Sequence, residues 1–221
     1  MKNNLNDKDA SRKIKPRTIA FLGIYVSIFL LMTFVPQVGY IRIGAFNATM
    51  MAIPVALATI HYGWKGAIFG ITCFIISSII GTIFFTPPII TFVGGWGNLL
   101  VVFIIGRIMI LIPLMFVIWI AKVIRDKAST TNHRTIMIAK YAYAFILGLT
   151  ISIFNTIFVA TLIYVYAHNS GQLNDSYWIF MISIGINISI EWTVPPFVAM
   201  LASSLGFYLE AKEKSATKER Y

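Results

Sequence analysis

The sequence predicts an all-α, polytopic membrane protein: a bundle of six transmembrane helices with both termini cytoplasmic. Three observations carry that reading. Of the 221 residues, 58% are hydrophobic and only 12% charged, against roughly 25% charged in an ordinary soluble domain, and the mean hydropathy is +0.80. The hydrophobic residues fall into six long runs separated by polar, Gly-rich or Pro-rich breaks. The basic residues, which give a formal charge of +10, gather in short flanks of those runs: six before residue 18, a second group from Lys122 to Lys140 and a third from Lys212 to Arg220. With six spans, nearly all Lys and Arg outside the membrane fall on one side, and Arg42 is the external exception; this is the positive-inside pattern. The same distribution argues against nucleic acid as a partner, because no basic stripe is interleaved with aromatics. A membrane domain over 18–209 is thus expected between cytoplasmic tails at 1–17 and 210–221.

Taken in order, 1–17 is polar, and the apolar segment after it has no A-x-A-like site, so it reads as a retained first helix rather than a signal peptide. Thr18 to Val35 spans about 27 Å as a helix, just enough to cross. Within it, Gly23 and Ser27 form a small-xxx-small pair that admits a second helix at close range. Pro36 to Ala45 breaks the helix. Phe46 to Ile60, with Pro54 inside it, is about 22 Å long if helical and needs help from its flanks to cross. The turn His61 to Gly66 follows, with Lys65 on the cytoplasmic side and His61 as an interfacial residue. Ala67 to Thr82 is the third span, and single Cys73 within it reads as apolar filler. Ile83 to Gly97 carries a Pro pair and a Gly cluster that rule out one regular helix; it reads as an outer loop dipping into the membrane. Asn98 to Ala121 is the fourth span, with Pro113 as its kink. Lys122 to Lys140 is the main basic loop, and Asp126 and His133 in it read as solvated. Tyr141 to Tyr166 is the fifth span, Ala167 to Ser176 a polar outer loop, and Tyr177 to Leu209 the sixth, bent in its inner half by Pro195 and Pro196.

The chemistry concentrates in SIGINISIEWTVP, Ser183 to Pro195, where Asn187 and Glu191 stand four residues apart and so share one helix face. A carboxylate inside a membrane span is costly; it faces a bundle interior or a wet cavity and has a partner. Arg107, the one basic residue between Asn98 and Ala121, is the expected partner. Counted from the outer helix ends, Arg107 and Glu191 differ in depth by roughly 6 Å, and Asn155 in the fifth span comes to a similar level. Two readings follow: a packing pair that sets helix register, or a ligand pocket beneath the outer loops. There is no G-x-S-x-G, H-E-x-x-H or P-loop, and the three histidines fall at span edges. An enzyme is therefore not expected, no metal site is expected, and active transport would draw its energy from an ion gradient or another subunit.

Several of these stretches together resemble the substrate-binding (S) components of energy-coupling-factor vitamin transporters of bacteria. They are the Gly23/Ser27 pair, IRIGAFNATMMAIPVALA running into HYGWKGAIFG, the Pro/Gly-rich outer loop, GRIMILIP, FNTIFVATLIY and NISIEW. The family usually carries alanines where Gly23 and Ser27 stand, and a proline where Gly106 stands. The resemblance implies a high-affinity vitamin binder in the bacterial cell membrane, enclosed by six helices and lidded by outer loops. It also implies docking of a transmembrane scaffold subunit on Gly23 and Ser27, with toppling driven by two ATPase subunits. The chain itself would hold no cofactor, ATP being used by its partners. FNT and N-x-x-x-E look most like the pantothenate-type members, with Arg107 or Arg42 meeting a carboxylate. A flat-ring vitamin would instead stack on Trp96, Trp178 or outer-loop tyrosines. The candidate substrate-binding residues are Arg107, Asn155, Asn187 and Glu191, with Asn47, Arg42, Trp96 and Asn98. Folate, pyridoxine, niacin, thiamine and riboflavin remain as other cargoes; an autonomous ion-coupled carrier using Glu191, or a scaffold or sensor, remain as other classes.

Overall fold

The computed structural model describes residues 16–43, 46–86, 88–127 and 133–218. Most of tail 1–17, the centre of the basic loop and the last three residues lie outside the described part, as do the side chains of Arg42, Asn47, Asp126 and His133. The chain is mostly helical: α1 (Pro16–Phe34), α2 (Pro36–Gly39), α3 (Ala52–Tyr62), α4 (Trp64–Phe85), α5 (Pro88–Phe92), α6 (Trp96–Ile108), α7 (Leu111–Lys127), α8 (His133–Asn169), α9 (Tyr177–Ser183) and α10 (Gly185–Lys218). Two strands, β1 (Tyr40–Ile43) and β2 (Phe46–Thr49), interrupt the helices.

Three helical segments are long and apolar enough to cross a membrane, Trp64–Phe85, Trp96–Ile124 and Thr135–Asn169; a fourth is formed if α9 and the start of α10 count as one bent span. Thr18–Phe34 and Ala52–Tyr62 are shorter apolar helices. The chain is a membrane protein by these helices and by its composition.

The structure departs from the sequence reading in three places. First, the fold is not wholly α: Tyr40–Ile43 and Phe46–Thr49 pair as an antiparallel hairpin, with Arg42 opposite Asn47 and Tyr40 opposite Thr49. The β-branched and aromatic residues of YIRI favour a strand. The helix expected from Phe46 therefore begins only at Ala52, and Pro54 sits in its first turn, where its missing N–H breaks no helical bond. Second, the sharp bend in the last span is 58° and lies between α9 and α10, whereas α10 runs on as one helix through Pro195 and Pro196. Ile184, at φ −95° and ψ 7°, ends α9, and Gly185, a weak helix former, starts the next helix. Third, α10 extends to Lys218, past the Leu209 end expected for the sixth span, so 210–218 is helical.

Elsewhere the local causes follow the sequence. Pro113 cannot donate to the Met109 carbonyl; Ile112 N–H takes that carbonyl at 3.2 Å instead, and this is the break between α6 and α7. Gly94 and Gly95, at φ 80° and 120°, form a turn that side chains disfavour, and it brings α5 round to the start of α6. At the α8–α10 crossing, a Cβ on Gly148 would lie 2.8 Å from the Pro196 Cα. That helix pair is packed too closely there for any larger residue.

Two apolar cores result. One gathers Phe29, Met51, Phe74, Ile110, Ile151 and Ala199; the other gathers Val93, Leu99, Phe103, Ala160, Phe180 and Ile184. Along α6, α8 and α10, a polar layer separates the two. Arg107 falls between Phe103 and Ile110, Ser152 to Thr156 between Ile151 and Ala160, and Asn187 with Glu191 between Ile184 and Ala199.

Candidate functional site

Glu191 is the centre of that layer and is 8% exposed. Its Oε1 accepts the backbone N–H of Thr49 at 2.7 Å, and its Oε2 accepts the Thr156 hydroxyl at 2.6 Å. The carboxylate thus ties the inner end of the hairpin to α8 and α10. Thr156 is shared further: its hydroxyl lies 3.0 Å from the Ser152 carbonyl and accepts the Trp192 indole N–H at 3.3 Å.

A cleft of about 100 Å³ opens beside this cluster, lined by Asn155, Thr156, Asn187 and Glu191 on its polar side and by Phe180 and Ile184 at the helix break. Broken helices at membrane depth are tolerated where they line a cavity, and the break between α9 and α10 sits at this one. Asn155 and Asn187 are both buried, and among the described residues the Oδ1 of each has no hydrogen-bond partner. Sequence spacing placed Asn187 and Glu191 on one face, and both line the cleft. A larger cleft of about 430 Å³ lies between α1, the hairpin, α3 and α10, but among the described residues Gln37 is the only polar side chain on its wall. It lacks the converging polar groups of a specific small-molecule site.

Arg107 is placed differently from the sequence expectation. Its guanidinium is stacked between Phe74 and Phe103, 4.4 and 4.6 Å from the ring centres. Its Nη1 donates to the Phe103 carbonyl at 3.5 Å, and its Nε is buried without a partner among the described residues. Among the described residues it makes no ion pair with Glu191, whose two oxygens are taken by Thr49 and Thr156, although Glu191 is near enough to act on its charge. Tyr40 is the other electrostatic neighbour. Burial holds the Tyr40 phenol above its ordinary range, against the pull of Arg107, so Tyr40 is neutral and supplies no counter-charge. A guanidinium does not deprotonate in proteins; Arg107 is a buried cation held by ring faces.

The remaining sequence candidates are dispersed. Asn98 Nδ2 donates to the Val93 carbonyl at 2.8 Å, clamping the Gly94–Gly95 turn. Trp96 and Trp178 are 46% and 74% exposed, with no place in the cleft. Arg42 and Asn47 face each other across the hairpin register. Gly23 and Ser27 lie on the exposed face of α1, opposite buried Tyr25, Phe29 and Met32, and a Cβ on Gly23 would meet nothing within 4 Å. His61 is bonded to the Tyr25 hydroxyl at 2.6 Å, which fastens α1 to the end of α3.

Sequence reasoning missed Thr49, Thr156 and Ser152 as members of the site. Thr156 had a signal, a hydroxyl beside Asn155 in an apolar run. Thr49 contributes a main-chain N–H, which no residue pattern announces.

No family model, curated protein or solved structure matches this chain. The reading of function therefore rests on the chemistry of the polar layer and on the sequence.

Proposed function

We propose that this chain is the substrate-binding component of an energy-coupled vitamin importer of the bacterial cell membrane, with pantothenate as its cargo. The observation that carries the proposal is the buried polar layer itself. A cation without a carboxylate partner, a carboxylate and two amides with unmet oxygens lie between two apolar cores. Leaving polar groups unmet in a bundle interior costs stability, and a substrate with a carboxylate and hydroxyl or amide groups is the chemistry that would meet them. Arg107 would take the carboxylate through its free Nε–H, and Asn155, Asn187 and Glu191 the hydroxyl and amide groups.

In this reading the six apolar segments all sit in the membrane, both termini are cytoplasmic, and the hairpin and α5 turn lie at the outer face. The cleft of about 100 Å³ is smaller than the roughly 300 Å³ of the smallest usual ligand pockets. Substrate entry therefore requires the hairpin to move off Glu191. The chain binds and hands over its cargo unchanged. Energy comes from two ATPase subunits acting through a transmembrane scaffold, which docks on the Gly23–Ser27 face of α1.

The test is a titration of the purified protein in detergent with a vitamin panel, pantothenate first, followed by tryptophan fluorescence and repeated by calorimetry. Saturable binding of pantothenate that is lost in Arg107→Met supports the proposal. Tight binding of folate, pyridoxine, niacin, thiamine or riboflavin instead would replace the cargo and keep the class, and silence of folded protein toward the whole panel would reject both.

A further inference from the structure

Four buried side-chain atoms lack a partner among the described residues, and three of them are oxygens on facing helices: Ser152 Oγ and Asn155 Oδ1 on α8, and Asn187 Oδ1 on α10. Asn155 and Asn187 line one cleft with Glu191, the one carboxylate of the layer. The helix register puts them together. Gly148 abuts Pro196 at one end of the α8–α10 contact, and Thr156 bonds Glu191 and Trp192 further along it. Ser152, one turn from each of Gly148 and Thr156, is level with the turn from Trp192 to Pro195.

Two prolines alter the main-chain bonding of that turn. Residues 195 and 196 are prolines within α10, so the carbonyls of Glu191 and Trp192 lose their helical N–H donors. Two unmet amide oxygens beside a buried carboxylate are acceptors that a small cation would satisfy. Main-chain carbonyls freed from helical bonding and neutral side-chain oxygens are how membrane proteins coordinate small monovalent ions. A divalent ion is disfavoured by charge: no group of three His, Cys, Asp or Glu gathers among the described residues, and Arg107 already adds a positive charge nearby. The volume agrees, since about 100 Å³ suits an ion with a water or two, each water occupying about 30 Å³.

We propose that the α8–α10 cleft binds a monovalent alkali cation, with the Glu191 carboxylate and the Asn155 and Asn187 amide oxygens that line it as its protein oxygen donors. The ion sits in the same cleft that the proposed function gives to the substrate, at its floor. With the ion bound, the layer carries two positive charges against one negative, and a carboxylate substrate restores neutrality. That last consequence rests on the proposed function; the ion site does not.

The experiment uses the full-length protein in detergent with no vitamin present. Trp192, bonded to Thr156 beside Glu191, is the reporter. Sodium chloride and potassium chloride are titrated against choline chloride at constant ionic strength, following tryptophan fluorescence and thermal unfolding. The expected result is a saturable response to sodium or potassium that choline does not give. Asn187→Ala and Asn155→Ala each weaken it tenfold or more, and Trp192→Phe removes the fluorescence change while the cation-dependent gain in thermal stability persists. Equal behaviour of wild-type protein in all three salts overturns the proposal, and so does an undiminished cation response in a folded Asn155→Ala/Asn187→Ala double variant. If those variants do not fold, the wild-type comparison of salts still decides. Because no vitamin is present, failure here leaves vitamin binding standing, and failure of the vitamin panel leaves the ion site standing.

Discussion

Glu191 holds three elements together, and removing it tests whether those bonds carry stability. Glu191→Ala deletes an acceptor from the Thr49 N–H and from the Thr156 hydroxyl. The two losses are unequal. Thr156 retains the Ser152 carbonyl at 3.0 Å, whereas the Thr49 N–H becomes a buried donor with nothing to bond. A hydrogen bond to a charged group contributes about 1.5–3 kcal/mol, and the two together, with Arg107 then left without any negative neighbour, give an expected loss of about 3–5 kcal/mol. Glu191→Gln should cost less, about 1–2 kcal/mol, because its amide oxygen still accepts from Thr49 and its NH₂ can donate to Thr156 while that hydroxyl turns to Ser152. Thr156→Val, which removes the bond to Oε2 and with it the acceptor of the Trp192 indole N–H, should be intermediate at about 1.5–3 kcal/mol. The assay is reversible unfolding in mixed micelles of rising SDS fraction, read by circular dichroism and tryptophan fluorescence. A double-mutant cycle over Thr156→Val and Glu191→Gln should return a coupling of at least about 1 kcal/mol. If Glu191→Ala is within about 0.5 kcal/mol of wild type, or more stable, or if the cycle shows no coupling, Glu191 does not fasten the hairpin as argued.

Three further predictions follow from other places in the fold. Gly148→Ala should destabilise by about 1–3 kcal/mol through overpacking against the Pro196 backbone, seen as a lower midpoint in the same unfolding series. Gly23→Leu, whose side chain enters open space, should leave stability within about 0.5 kcal/mol and leave vitamin binding intact, yet stop uptake in cells supplying the partner subunits; uptake at the wild-type rate would reject docking on that face. Arg107→Met, which removes a buried cation but leaves the Glu191 carboxylate without its positive neighbour, should cost no more stability than Glu191→Ala while abolishing binding of a carboxylate-bearing substrate; retained binding would reject Arg107 as the partner of that carboxylate.

Residue counting located the polar layer well because depth in a helix is additive along the chain. Distance from the span ends brings Arg107, Asn155 and Glu191 to a similar level, the four-residue spacing sets Asn187 on the Glu191 face, and Asn155, Asn187 and Glu191 line one cleft. Azimuth is not additive in the same way. Arg107 lies near the right depth but is held by Phe103, one turn before it, and by Phe74 of α4; which neighbour a helix face meets depends on packing that one sequence does not display. The prolines of the last span misled for a related reason. A Pro signals a lost bond, and in α10 that loss is absorbed within a continuous helix, while the bend falls at Ile184 and Gly185, where glycine is a weaker sign. The hairpin was obscured because its strands are four residues each, too short for an alternating pattern to stand out beside long apolar helices.

The bond from Thr49 to Glu191 also sets a competition. While the hairpin is seated, one carboxylate oxygen is occupied by a main-chain N–H, and the cleft offers an incoming guest only a partly satisfied anion. Lifting the hairpin releases that oxygen and bares the Thr49 N–H at the same moment, so the open form is the hungrier one on both surfaces. Whatever enters must outbid a peptide group for Glu191 or bridge between the two. On the proposed function, the hairpin holds part of the site until a substrate displaces it, and the measured affinity would be the intrinsic affinity reduced by the stability of that seat.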